Sequence, residues 1–139
     1  MNPALSLAER TALMKAAAGE DRPDLAIVGG LLANVLSGEF HLADILVKDG
    51  RVVRLVEPGE ALDLAGVDIV DAAGRHVVPG LIDPHMHLES SSLMPDEFAK
   101  AIVARGVTTV AIDPHEFGNV VGLAGIEALM RSTAGLPVR

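Results

Sequence analysis

Cysteine, tryptophan and tyrosine are all missing from this 139-residue chain, and phenylalanine occurs three times. Without cysteine there can be no disulfide and no thiolate metal site, so any metal must be held by histidine and carboxylate. With so few aromatic rings, a core has to be built from aliphatic side chains. The material for one is ample, because half of the residues are hydrophobic. No apolar run approaches the roughly 18 residues of a membrane span, and the N-terminus lacks a charged-then-apolar leader pattern. A cytoplasmic location is therefore expected. Basic clusters are absent too, and the net charge is −8, which argues against nucleic-acid backbone or an anionic membrane as a partner. Charged residues, at 22%, sit near the globular average, so the chain is not of a disordered class.

Three regions follow one another. Residues 1–23 read as a helix and a linker. Ser6-Leu7-Ala8-Glu9 has the S-x-x-E form of a capping box, and Gly19 and Pro23 close the Ala- and Leu-rich stretch behind it. Residues 24–80 hold short β-type runs at Leu25–Val28, Leu31–Leu36, Ala43–Lys48, Arg51–Val56, Val67–Asp71 and His76–Val78. Gly29-Gly30 and the Ser37-Gly38 neighbourhood are read as separators, and Asp49-Gly50 as a two-residue hairpin turn. This predicts a small, mostly antiparallel β module of about five or six strands. From residue 81 to 139 the pattern becomes strand, helix, strand, helix. Leu81–Asp83 and Val107–Asp113 are the strands, and Pro95–Arg105 and Leu123–Arg131 the helices. That order with short loops is the start of a parallel α/β fold.

The chemistry is concentrated where those last two strands end. His85 and His87 follow Pro79-Gly80-Leu81-Ile82-Asp83-Pro84. Residues two apart on a strand share a face, so both imidazoles are placed to grip one metal ion. Asp83 has the same parity and is expected to orient one imidazole from behind. Glu89 continues that parity into the loop. The second strand closes on Asp113-Pro114-His115-Glu116, which puts a further histidine and two carboxylates at the corresponding position. In parallel barrels this C-terminal end of the strands carries the active site. His85 and His87 are thus candidate metal ligands, and Glu89, Asp113, His115 and Glu116 candidate metal or pocket residues. His41 and His76 read as ordinary strand residues, and Gly118–Gly122 as a relaxed turn into the last helix. It lacks the spacing of a phosphate-binding loop.

The block Pro79-Gly80-Leu81-Ile82-Asp83-Pro84-His85-Met86-His87-Leu88-Glu89-Ser90-Ser91 resembles the first-strand signature of the metal-dependent amidohydrolase superfamily. Together with Asp113-Pro114-His115-Glu116 it is similar to the adenine deaminases of that superfamily, and the likeness extends over Asp24–Gly30, Ile45–Val52 and Val70–Gly74. Phe117-Gly118 departs from the aliphatic and small residues more usual there. The resemblance implies a β-sandwich-like module, residues 24–80, and a TIM-type barrel of which residues 81–139 are the first two βα units. It also implies a divalent metal, Mn2+ or Fe2+ before Zn2+, and hydrolysis of adenine to hypoxanthine and ammonia, with breakage of a C–N bond of a cyclic amidine.

A barrel of this kind needs roughly 200–250 residues, and about 60 follow Gly80. The sequence reading therefore expects an N-terminal portion, inactive alone. It leaves open a homo-oligomer or a split enzyme completed by a complementary C-terminal chain. The remaining alternatives are another cyclic-amide or deacetylase-type amidohydrolase and, in a different class, a non-catalytic assembly module.

Overall fold

The structure is a computed structural model that describes residues 4–139. The chain divides after Val78 into two compact units. The first opens with α1 (Leu7–Ala18). Its capping box is complete: Ser6 Oγ accepts from the Glu9 amide, and the Glu9 carboxylate accepts from the Ser6 amide at 2.7 Å. Gly19 ends the helix in the left-handed region, where its N–H reaches the Ala16 carbonyl.

Five strands form one sheet: β1 (Leu25–Asn34), β2 (Glu39–Lys48), β3 (Arg51–Val56), β4 (Asp68–Asp71) and β5 (His76–Val77). Asp49 and Gly50 join β2 to β3 with φ of 48° and 68°, the pair of left-handed residues that a type I′ hairpin demands. Two features differ from the sequence expectation. Gly29-Gly30 does not separate two strands; it is a bulge inside one. Ile27 pairs with Ile45 and Gly30 with Ala43, so two residues of β1 face one of β2. Gly29 takes φ 72° there, and its amide is satisfied by the Asp44 carboxylate at 2.8 Å. A Cβ on Gly30 would stand 2.5 Å from Val77 Cγ2, so β5 approaches as closely as it does only because Gly30 has none.

The second correction concerns pairing. β1–β2–β3 are antiparallel, but β4 and β5 both run parallel to β1 on its other side. The expected sandwich is replaced by this single mixed sheet, since those two short strands lengthen the first layer instead of founding a second. On one face, Ala26, Leu46 and Val56 are buried beneath Leu62, Leu64 and Val67 of the irregular segment after β3. The buried Ala16 of α1 joins the same side. On the other face Leu32, Ala43 and Ile45 pack with Ile27, Val47 and Val77. The alternation Ile45/Leu46 across the two clusters is the period of two that a strand imposes. Each fully buried Leu, Ile or Val of these clusters contributes about 1.5–3 kcal/mol by leaving water.

Asp24 ties the start of β1 to the hairpin. Its carboxylate accepts from Lys48 Nζ at 2.8 Å and from the Asp49 amide at 2.7 Å. The Lys48 bond, then the amide bond, holds the Asp24 carboxyl below the usual carboxylate range. A carboxyl whose folded value is depressed stabilises the fold above its unfolded value and loses that contribution as pH falls through the folded one. We expect thermal stability of the wild-type chain to fall between about pH 4 and pH 2, and Asp24→Asn to be less stable at neutral pH with a shallower acid decline. Melts across that range check this, and parallel curves for the two proteins would contradict it.

The second unit contains β6 (Leu81–Met86), a single 3-10 turn at Glu89–Ser91, α2 (Pro95–Val103), β7 (Val107–Ile112), α3 (His115–Val121) and α4 (Leu123–Ser132). β6 and β7 pair in parallel, with irregular register around Pro84, which has no N–H to give to the ladder. Leu88, Phe98 and Leu129 form the core with Met86, Ile102, Ile112 and Phe117 around them. Pro95 occupies the first turn of α2 beside Asp96 and Glu97, and Gly106 (φ 86°) turns the chain into β7. On the outer side of β7, Arg139 N–H donates to the Thr108 carbonyl and Val110 N–H to the Arg139 carbonyl, both at 2.9 Å. No helix among the described residues is long and apolar enough to cross a membrane.

Candidate metal centre

Two parallel strands that end level with each other bring their last residues together. The Asp113 amide donates to the Met86 carbonyl at 2.9 Å, which sets Asp113 beside His85 and His87. One ligand atom from each of His85, His87 and Asp113 falls within 4.8 Å of the others. His85 Nε2 stands 3.9 Å from Asp113 Oδ2, and the two imidazoles meet edge to face with centroids 4.8 Å apart. His87 Nδ1 lies 2.9 Å from the Asp113 carbonyl. A carbonyl only accepts, so Nδ1 carries the proton and Nε2 keeps a free lone pair, the arrangement a histidine needs to bind a metal. Two imidazole nitrogens and one carboxylate oxygen, without thiolate, suit a divalent ion. The group is open to solvent: the His85 side chain is 66% exposed and that of Asp113 55%.

His115 belongs to the same neighbourhood. Its Nδ1 is 3.4 Å from Asp113 Oδ2 and its ring meets that of His87 at 4.7 Å, again edge to face. Glu89 and Glu116 are connected one step away from the imidazoles. A Glu89 oxygen accepts from the Glu116 amide at 3.1 Å, and Ser90 Oγ donates to the Glu116 carboxylate at 2.9 Å. The other Glu89 oxygen is buried without a partner among the described residues.

Asp83 does something other than the sequence suggests. Its carboxylate accepts from the His85 backbone amide at 3.1 Å, so it fixes the chain at His85 and not the imidazole. The group that orients an imidazole is the main-chain carbonyl of Asp113. His115 and Glu116 also lie in α3, a short helix that the sequence does not advertise, because Gly118, Asn119 and two valines are poor helix formers. The one available signal is Pro114 with an acid, Glu116, two residues on in the first turn, a common helix entry. His41 bonds Asn34 and His76 packs on Phe40, both in the β module. A cleft of that module, between α1 and residues 60–64, contains Arg22 and Arg54, each already paired with an acid.

Residues 76–139 match the amidohydrolase family. Over 130 residues, 94% of the chain, the sequence is 45% identical to adenine deaminase 2 of Agrobacterium fabrum, and over 126 residues it is 48% identical to adenine deaminase of Oleidesulfovibrio alaskensis. The chain spans about a fifth of the length of these relatives (21%). Among solved structures it is similar to N-acyl-D-glutamate deacylase from Bordetella bronchiseptica, complexed with zinc and a phosphonate inhibitor (28% identity, TM-score 0.51), over 66% of this chain and 19% of that one. It is equally similar to L-hydantoinase from Arthrobacter aurescens (28% identity, TM-score 0.50), over 66% of this chain and 20% of that one.

Proposed function

Because the chain is adenine-deaminase-like over about nine-tenths of its length, with amidohydrolase sequence from residue 76 onward, we propose that it supplies part of the metal centre of an adenine deaminase. In this reading residues 81–139 are two βα units of a TIM-type barrel, and residues 24–80 are a β module of their own, which follows residues 1–23 in the sequence. The observation that carries the proposal is the His85, His87 and Asp113 triad at the C-terminal ends of adjacent parallel strands, the place where such barrels do their chemistry.

His85 and His87 would hold a divalent ion through their imidazole nitrogens, His87 by the Nε2 that its Nδ1–H leaves free, with Asp113 as the third donor. The chemistry such an ion supplies is a water molecule made nucleophilic near neutral pH. The protein's own residues position it. The Asp113 carbonyl fixes the His87 tautomer, and Asp83 fixes the backbone at His85. His115, within reach of the Asp113 carboxylate, lines the pocket with Glu116 and Glu89. Adenine is the proposed substrate: water adds to the ring carbon that bears the amino group, the C–N bond breaks, and ammonia leaves as hypoxanthine forms. Manganese or iron is the preferred metal, and zinc, present in the deacylase, fits the same donors. Three protein donors leave a further position for the water that the ion would activate, and the partial-site reading rests on the chain's span of about a fifth of its relatives' length. The deacylase and hydantoinase likenesses, at 28% identity, are weaker than those to adenine deaminases.

A chimera tests this. The 139-residue chain is substituted for the matching segment of the Agrobacterium fabrum enzyme. The chimera is expected to deaminate adenine, whereas the 139-residue chain alone releases no ammonia from it. A folded, metal-loaded chimera that ignores adenine, or that instead opens a cyclic amide or removes an acyl group, overturns the assignment. Adenine deamination by the chain alone contradicts the partial-site reading.

A further inference from the structure

α3 begins with a deficit. Its N-terminal flanking residue is Pro114, whose side chain caps nothing, although the first amides of any helix need acceptors from outside. The acceptor comes from the other strand's loop, 27 residues earlier: Glu89 Oε1 takes the Glu116 amide. Ser90 then donates to the Glu116 side chain, so two consecutive residues hold the backbone and the carboxylate of one residue. Asp113 and His115 lie within three positions of that anchor point.

The geometry points to Glu89 and Ser90 as positioning residues. They brace the loop after β6 to the start of α3 and so hold Asp113 and His115 against His85 and His87. What Glu89 contributes is an acceptor at Oε1 and not its charge. This rests on the metal-centre reading for its consequence, while the brace itself is testable without metal.

Glu89→Ala removes the acceptor, and Glu89→Gln keeps a carbonyl oxygen in its place. Amide hydrogen exchange on the metal-free chain is read by NMR. Glu116 is expected to exchange about tenfold faster in Glu89→Ala and within about twofold of wild type in Glu89→Gln. Titration with Mn2+ alone is expected to show about tenfold weaker binding in Glu89→Ala and near-recovery in Glu89→Gln, the range seen when outer contacts of a metal site are lost. Unchanged Glu116 exchange in Glu89→Ala overturns the brace, whatever the metal does. Faster exchange with undiminished Mn2+ affinity overturns the positioning role. Equal damage from Glu89→Gln assigns the effect to charge, against the inference. A wild-type chain that binds no Mn2+ contradicts the metal-centre reading and leaves amide exchange to decide the brace.

Discussion

His85→Ala and His87→Ala are each expected to weaken divalent-ion binding by at least a factor of about 100, more than the 10- to 100-fold typical of outer contacts. The reason is geometric. The two rings meet 4.8 Å apart at the end of β6, and each offers the ion one nitrogen donor from the same strand end. Alanine removes the donor and leaves the strand intact, since neither substitution touches the buried cluster of Leu88, Phe98 and Leu129. Asp83→Asn is the informative control. Its side-chain oxygen still accepts from the His85 amide, so ion affinity is expected to change far less. Mn2+ titration of the chain and elemental analysis of the chimera measure the effect. Retention of metal in both histidine variants would remove these residues from the site.

Gly80→Ala is expected to destabilise the second unit by about 2–3 kcal/mol, in the range of overpacked positions. A Cβ there would overlap Thr108 Oγ1 and Cγ2 and stand 2.8 Å from Thr108 Cβ. Val and Thr side chains are stiff at χ1 and do not swing away. Gly80 is thus what allows β6 to enter the sheet alongside β7, and the strands' alignment in turn places Asp113 beside the histidines. Thr108→Ala in the same background removes the two nearest atoms and is expected to recover part of the loss. Urea denaturation compares the single and double variants; a Gly80→Ala protein within about 0.5 kcal/mol of wild type would show that the strands part without cost.

The sequence speaks clearly where a signal is local. The capping box at Ser6, the Asp49-Gly50 turn and the shared face of His85 and His87 depend on residues within a few positions of one another. It speaks poorly where partners are distant. Gly29-Gly30 looks like punctuation, yet both halves of β1 find neighbours on either side, and the glycines become a bulge. Nothing in Asp68–Asp71 or His76–Val77 encodes a parallel partner; the stretch between β3 and β4 carries the chain back to the start of β1, where the Asp68 amide meets the Asp24 carbonyl, and the turn at Ala72–Arg75 keeps it on the same edge. Asp83 has the parity of a residue behind His85, but the backbone amide two positions on captures its carboxylate first. The acceptor that orients His87 is a carbonyl of the peptide chain, and every residue has one, so no side-chain pattern can announce it.

Arg139 is stitched into the second unit by its own peptide group, through Thr108 and Val110. Replacing Arg139 by proline would remove the amide that meets Thr108 and free that stretch of the sheet's flank for intermolecular β-pairing, the contact from which aggregates grow.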